Sequence, residues 1–403
     1  MINDFIKKNL TLSSLLIFSL LIIINNFYRF FQNNSVYEFD PWLSNYQGGF
    51  VRRGIPGELF YQLYNFTGIH PGWMVFIFVT ILYIFFYINF FKIIKSIKIN
   101  ALHLFIIFSP ISFFFPVLNS KASGHKEIFF LFFLSYLCLL IPKISKKQAS
   151  IIIIFISIIL GLTYEVLIFY LIFLIAPFVF FYDFKNLKDL LKNLLPILFV
   201  CLSVLALNYH FSGNEKHTIE ICNSVEKYVS PECKKIGKIA DLSLILDGHK
   251  SQKANWNYGT SSLYPAYYII YGFGFLIGFL PLFILYNKIN FKKKLANSVK
   301  INPIIILLFM LVFSLPVFYL GADWGRYLYI GYLSSIIFTF FSIKNEILVY
   351  KKRPTTIKKT RITKFLFIIS IIIYCFGWTV PICCQKSLKP GIYQVYQKFK
   401  MHY

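Results

Sequence analysis

The chain has 403 residues, of which 57% are hydrophobic and 20% aromatic, with a formal net charge of +25 and a mean hydropathy of +0.65. Soluble domains are about 45–50% apolar, and apolar runs of about 18 residues or more recur along this whole chain. The composition therefore excludes an ordinary soluble protein and predicts a polytopic membrane protein. The runs are too long and too evenly apolar for the alternating strands of a membrane barrel, so the spans are predicted to be helices.

The first apolar run predicts an uncleaved span with the N-terminus inside, because Lys7 and Lys8 precede it and no small-residue cleavage site follows. Hydropathy predicts about eleven spans in all, near 10–25, 73–91, 101–118, 128–142, 149–162, 166–182, 194–211, 264–286, 303–320, 327–343 and 365–382. Ten or twelve remain alternatives, because two of these segments are short. The predicted fold class is an all-α polytopic membrane protein. It forms a single transmembrane domain, 1–403, with a first outer loop at 33–72 and a large outer loop at 212–262.

The distribution of charge supports this path through the membrane. Counted along it, 24 Lys and Arg and 4 Asp and Glu lie inside, against 17 and 12 outside. An excess of cations in the inner loops is what membrane orientation requires. The basic balance therefore indicates no nucleic-acid partner.

The arginines do not follow this pattern. Only six of the 41 basic residues are Arg, and Arg29, Arg52, Arg53 and Arg326 lie at or beyond the outer boundary. Arginine binds phosphate and carboxylate groups through two parallel hydrogen bonds, which lysine does not. Outer-face arginines in a lysine-rich chain are therefore candidate binding residues.

The stretch from Tyr37 to Phe60, YEFDPWLSNYQGGFVRRGIPGELF, mixes opposite charges with turn residues just beyond the first span. Glu38 and Asp40 are close enough for one to act as a general base while the other orients it, or for both to hold one divalent cation, Mg²⁺ or Mn²⁺. The alternative is a pair of solvated acids beside the membrane. Arg52 and Arg53 are candidates to bind a phosphate; their alternative role is to neutralise those acids or lipid headgroups. Residues 54–64 are predicted to form a short interfacial helix.

Three more clusters of charge lie at the outer ends of predicted spans. The clusters are His125, Lys126 and Glu127; Glu165; and Asp323 with Arg326. Each alone is more often a helix-end charge, but ionisable groups at membrane depth are costly and often functional. Because all the clusters fall on one side, we predict a shared polar pocket there.

The cysteines predict one disulfide. Cys222 and Cys233 share the large outer loop and can pair if that side is oxidising; two free thiols are the alternative. Cys138, Cys201 and Cys375 fall in spans and are expected to be apolar fillers. The sequence has no CxxC metal pattern, Walker loop, GxGxxG or GxSxG, which argues against zinc, ATP, dinucleotide and α/β-hydrolase chemistry.

The Glu38-Phe39-Asp40 motif, in the first outer loop of a chain with about eleven spans, resembles the GT-C superfamily of integral-membrane glycosyltransferases. The YxxGFVRRG-type stretch and the late DWGR also resemble membrane proteins of bacterial surface-polysaccharide clusters. The resemblance implies that Asp40 or Glu38 is the catalytic base and that the donor is a polyprenyl-phosphate-linked sugar. It further implies a glycan or lipid-linked acceptor and a location in the cell inner (plasma) membrane. Trp42 would then be a candidate to stack on a sugar face, although an interfacial aromatic belt would have the same residue. Many members carry a large C-terminal soluble domain, so acceptor recognition would fall here to loop 212–262 or to the short tail.

Two other functions are kept open. An O-antigen or capsule polysaccharide polymerase would use the outer arginines on a lipid pyrophosphate without needing the acid pair. A transporter of lipid-linked sugars would place its charges along a path at mid-depth in the bilayer, whereas in this sequence they cluster at one face.

Overall fold

The computed structural model describes residues 2–33, 40–225, 265–292, 301–321, 323–351 and 361–382, and these are predominantly helical. The helices are α1 (Ile2–Asn33), α2 (Ile55–Thr67), α3 (Pro71–Ile94), α4 (Ala101–Ile107), α5 (Phe115–Leu118), α6 (Glu127–Leu140), α7 (Lys146–Thr163), α8 (Ile172–Phe181), α9 (Leu187–His210), α10 (Glu215–Val225), α11 (Pro265–Asn287), α12 (Pro303–Phe313), α13 (Pro316–Leu320), α14 (Trp324–Lys344) and α15 (Arg361–Phe376). Four 3₁₀ turns lie at Asp40–Leu43, Ser120–Gly124, Ile141–Lys143 and Glu165–Tyr170. Two short strands are β1 (Ile289–Phe291) and β2 (Leu348–Tyr350).

Six helices in the described ranges are long and apolar enough to cross a membrane, judged by length and composition. These segments are Thr11–Tyr28, Pro71–Ile94, Lys146–Thr163, Leu187–His210, Tyr268–Asn287 and Trp324–Lys344. Each coincides with a predicted span, so the prediction of a helical membrane protein is confirmed at this level. The helix predicted at residues 54–64 is present as α2, with Leu59 and Leu63 exposed on its surface; its interfacial position stays a prediction.

Three other predicted spans are not single helices. Segment 101–118 is divided between α4 and α5, and segment 166–182 begins as a 3₁₀ turn before α8. Segment 303–320 is divided just before Pro316, because proline has no backbone N–H to continue the helical hydrogen bonding. The helices α6 and α15 have 14 and 16 residues, short of the ~20 that a perpendicular span requires. The count of eleven spans stays a prediction.

The centre of the molecule is α14. Of the apolar stretch that could cross a membrane in this helix, 89% is buried inside the molecule. The helix packs against α3, α6 and α8. Its buried positions include many small or hydroxyl-bearing residues, such as Gly331, Ser334, Ser335 and Thr339. By contrast, only 28% of the corresponding apolar stretch in α1 and 22% of that in α9 is buried. The exposed apolar faces of those two helices suit contact with lipid chains.

Several of the loops predicted to be cytoplasmic meet at one end of the helices. The strands β1 and β2 pair antiparallel there and join the loop after α11 to the loop after α14. The Lys344 ammonium donates to the carbonyl of Lys92 at 3.0 Å. The Lys146 ammonium forms an ion pair with Asp189 at 2.8 Å. The all-α prediction did not include this two-stranded ribbon, which is too short to show a strand pattern in the sequence.

The opposite end of α14, where the helix begins, is held by the segment that follows α15. The backbone N–H of Gly325 donates to the carbonyl of Ile382 at 3.0 Å. The Tyr271 hydroxyl donates to the carbonyl of Pro381 at 3.2 Å. We call this the site end of the molecule, because the predicted outer charge clusters lie here.

Candidate functional site

The first outer loop is anchored to the start of α6 by Trp42. This residue lies in the 3₁₀ turn that begins at Asp40, and its side chain is fully buried. Its indole N–H donates to the carbonyl of Gly124 at 2.8 Å, and its ring contacts Phe78 and Phe129 edge-on. The turn carrying Asp40 is therefore fixed to the segment just before Lys126 and Glu127.

A buried ion-pair cluster joins the start of α6 to the start of α14. The Arg326 Nε donates to Glu127 Oε1 at 2.8 Å, and Arg326 Nη2 donates to the same oxygen. Arg326 Nη1 also donates to Asp323 Oδ2 at 2.8 Å. Glu127 and Arg326 are 3% and 6% exposed, so water contributes little to stabilising either charge and each depends on the other.

The positions of the acids follow from the helices that they begin. Glu127 is the first residue of α6, and Asp323 is the residue that precedes α14. Unpaired backbone N–H groups give a helix N-terminus a partial positive charge that favours a carboxylate. Arg326 lies in the first turn of α14, where the positive charge of its side chain is unfavourable. The carboxylates of Glu127 and Asp323 offset this repulsion.

A second ion-pair cluster joins the first outer loop to the tip of the hairpin after α7. Glu165 begins the 3₁₀ turn there. The Arg53 Nε donates to Glu165 Oε2 at 2.7 Å, and Arg53 Nη2 donates to Glu165 Oε1. Arg52 makes a longer contact, 3.3 Å from Nη1 to Glu165 Oε1.

Tyr164 lies between the two clusters and contacts both. Its hydroxyl accepts from Arg326 Nη2 at 3.4 Å, and the Arg53 guanidinium lies 4.7 Å from the centre of its ring. The neighbouring Thr163 carbonyl accepts from the Lys126 ammonium at 3.1 Å. The hairpin tip thus connects the charged residues of the first outer loop, α6 and α14 in a single polar assembly.

The part of this loop that precedes α2 is also held by α2 itself and by α10. The Glu58 carboxylate of α2 accepts from the backbone N–H of Tyr46 at 2.9 Å. Burial raises the pKa of Glu58, but hydrogen bonds from Gln62, Tyr46 and Gln47 outweigh it and leave the pKa below its ordinary value. Asn45 donates to the Ser224 hydroxyl of α10 at 2.9 Å.

An apolar groove of about 430 Å³ lies beside the start of α14, between α11, α12 and α14. Its walls are aromatic and aliphatic, and Trp324 and Tyr327 form part of its lining. These two residues flank Gly325 and Arg326 in the sequence. The first turn of α14 therefore contributes both to the groove and to the buried ion-pair cluster.

The predicted site residues differ in where they lie. Arg52, Arg53, Lys126, Glu127, Glu165, Asp323 and Arg326 belong to the assembly, and His125 is half-buried just before Lys126. Trp42 packs in the interior, and its buried ring offers no face for stacking on a sugar. Asp40 is described as backbone only, and Glu38 lies outside the described residues. Within the described ranges, no group of three His, Cys, Asp or Glu side chains could hold a metal ion.

The structure describes four of the five cysteines for which the sequence made a prediction. Cys222 is disulfide-bonded, but Cys233 lies outside the described residues, so their pairing stays a prediction. Cys138, Cys201 and Cys375 are buried free thiols, as expected of apolar fillers.

The sequence did not single out Tyr164 and Thr163, which immediately precede Glu165. The sequence signal that could have identified them was their position at the same hairpin tip as Glu165.

No family model, curated protein or solved structure matches this chain.

Proposed function

We propose that the protein is a membrane glycosyltransferase that moves a sugar from a polyprenyl-phosphate-linked donor to a glycan or lipid-linked acceptor. The reaction would take place at the outer face of the cell inner membrane. The observation that carries this proposal is the assembly of Arg52, Arg53, Lys126 and Arg326 at one end of the helices, beside an apolar groove. A polyprenyl phosphate has the matching chemistry, an anionic head on a long apolar chain.

The groove supports a lipid-linked substrate. Its lining is almost wholly apolar and includes Trp324 and Tyr327, which lie in the turn of α14 that bears Arg326. A chain lying in it would bring a phosphate close to the arginine-rich assembly. At least one cationic side chain of the assembly would hold that phosphate and stabilise the charge that develops as it leaves the sugar.

Asp40 is the proposed general base. The acceptor oxygen would bond to the anomeric carbon, the bond from that carbon to the phosphate oxygen would break, and the acceptor proton would pass to Asp40. Support comes from the turn that begins at Asp40, which Trp42 fastens to the segment before Lys126 and Glu127. Glu38 would orient Asp40 or share a divalent cation with it.

The position of the buried charges favours this function over transport. Among the described residues, the buried side chains with formal charge are Arg53, Lys126, Glu127 and Arg326, and all four lie at the site end. A carrier of lipid-linked sugars would need charges along a path at mid-depth. The polymerase alternative shares the arginines and differs in not needing Asp40.

Asp40→Asn tests the proposal, because asparagine keeps the shape but does not accept a proton at neutral pH. Turnover of a polyprenyl-phosphate-linked sugar by the purified variant is expected to fall at least about a hundredfold. Binding of the donor and insertion into the membrane should be unchanged. Glu38→Gln should be milder if Glu38 only orients Asp40, and a chelator should abolish activity if the two share a metal.

Near-normal turnover in Asp40→Asn, together with loss of turnover in Arg326→Lys, would contradict the glycosyltransferase and favour the polymerase. Unfolding curves of both variants serve as the control, so that loss of fold is not mistaken for loss of chemistry.

A further inference from the structure

Arg52 and Arg53 are adjacent, yet their surroundings differ. The Arg53 side chain is 4% exposed, whereas that of Arg52 is 13% exposed. Both contact Glu165, but through different numbers of atoms and at different distances. Two neighbouring residues of one type in such different settings are suited to different tasks.

Arg53 is held on several sides. Its Nε and Nη2 donate to the two oxygens of Glu165, in the paired geometry that only a guanidinium provides. Its guanidinium also lies over the Tyr164 ring at 4.7 Å. These contacts join the first outer loop to the hairpin tip.

The backbone of Arg53 adds to this conclusion. Its φ is +66°, in the left-handed region that L-residues other than glycine rarely adopt. Such a conformation persists only where the surrounding structure fixes it. The contacts of the Arg53 side chain with Glu165 and Tyr164 supply that constraint.

The main chain of Arg52 is fixed as well. Its backbone N–H donates to the carbonyl of Phe211 at 3.0 Å, which fixes the loop to the end of α9. The contact of its side chain with Glu165, 3.3 Å, is longer than the 2.7 Å bond from Arg53 Nε. With 13% of its surface exposed, against 4% for Arg53, the side chain of Arg52 is the more accessible of the two to a ligand.

We propose that Arg53 is a positioning residue that fastens the first outer loop to Glu165, and that Arg52 is the residue that contacts the anionic group of the substrate. The identity of that group as a lipid-linked phosphate rests on the proposed function. The fastening role of Arg53 does not depend on it.

The first experiment compares the stability of matched variants of the full chain in lipid nanodiscs. Arg53→Lys loses the paired geometry and should lower the melting temperature by several degrees, whereas Arg52→Lys should leave it nearly unchanged. Tyr164→Leu, which removes the ring beneath Arg53, should melt below Tyr164→Phe, which keeps that ring. This second pair decides the question if Arg53→Lys does not fold.

The second experiment measures a property that a purely structural role would not change, the preference for a charged head. Binding of undecaprenyl phosphate is compared with binding of undecaprenol, and inorganic phosphate is tested as competitor. Wild type should prefer the phosphate. Arg52→Gln should lose about tenfold of that preference, whereas Arg53→Lys or Tyr164→Leu should keep it, whatever the change in overall affinity.

The outcomes separate the two proposals. A preference that survives in Arg52→Gln and disappears in Arg53→Lys would overturn the assignment of tasks while leaving a phosphate ligand in place. Absence of any preference in wild type would overturn both the anion-binding role of Arg52 and the lipid-phosphate donor. Tight binding of inorganic phosphate that depends on Arg52 would support the anion contact and contradict the lipid source. Equal melting temperatures for Arg52→Lys and Arg53→Lys, and for the two Tyr164 variants, would overturn the fastening role.

Discussion

Glu127 shows how much of this site depends on single pairings. One of its carboxylate oxygens receives two hydrogen bonds from Arg326, and the residue is almost completely buried. Placing a carboxylate and a guanidinium in such surroundings costs much of the energy of their hydration. The pair is therefore weak evidence for net stabilisation, but loss of one partner leaves the other charged and buried.

Glu127→Gln should consequently destabilise the protein by about 3–5 kcal/mol, because Arg326 then keeps its charge with only Asp323 as a carboxylate partner. Asp323→Asn is the matched control. The Asp323 side chain is 33% exposed, and its loss should cost about 1 kcal/mol or less. Denaturant unfolding of both variants in the same detergent measures the difference, and equal losses would contradict the role assigned to burial.

The start of α14 is the element that connects the groove, the ion pairs and the segment after α15. Gly325 is at this point because nothing larger fits. A Cβ added to it would lie 1.9 Å from the carbonyl oxygen of Pro381, which is backbone and has little freedom to move. The chain segment 378–382 can approach α14 only across a glycine.

Gly325→Ala should therefore lower the free energy of unfolding by about 1–3 kcal/mol through overpacking and should loosen segment 378–382. Gly272→Ala provides the comparison, since Gly272 lies within α11 and a Cβ there would meet nothing within 4 Å. That variant should be neutral or slightly stabilising, because alanine is the better helix former. Limited proteolysis and thermal unfolding distinguish the two; a neutral Gly325→Ala would show that the close approach is not maintained.

At the scale of the whole molecule, the loops predicted to be inner and those predicted to be outer lie at opposite ends of the helices. The Lys146–Asp189 pair and the β1–β2 ribbon lie at one end, and the arginine assembly lies at the other. This separation agrees with the charge asymmetry in the sequence. Which end faces the cytoplasm stays a prediction from the positive-inside rule.

Reporter fusions test that orientation. A fusion after Lys147 should report a cytoplasmic position and one after Lys253 an outer position, because the excess of positive charge lies in the loops assigned to the inside. Matched fusions after Lys185 and after residue 323 extend the test to two further loops. The reverse pattern would place the arginine assembly inside and contradict a reaction at the outer face.

Local sequence determined the membrane class, most helix positions and the list of charged residues at the predicted outer ends. These follow from hydropathy and from turn residues, which act over a few positions in the chain. The breaks at residues 108–114 and before Pro316 lie in apolar runs, and hydropathy alone is insensitive to backbone hydrogen bonding. For that reason the sequence predicted continuous spans where the structure has interrupted ones.

Only the tertiary structure decided which charges meet. Arg326 pairs with Glu127 across 199 positions, and Arg53 pairs with Glu165 across 112. The sequence predicted that these residues lie on one side of a membrane, but partners in an ion pair depend on which helices are neighbours. The same holds for Trp42, a candidate in the sequence to stack on a sugar, which is fully buried because the start of α6 packs over it. Side-chain partners are fixed by packing between distant segments, and the pattern within any one segment does not contain that information.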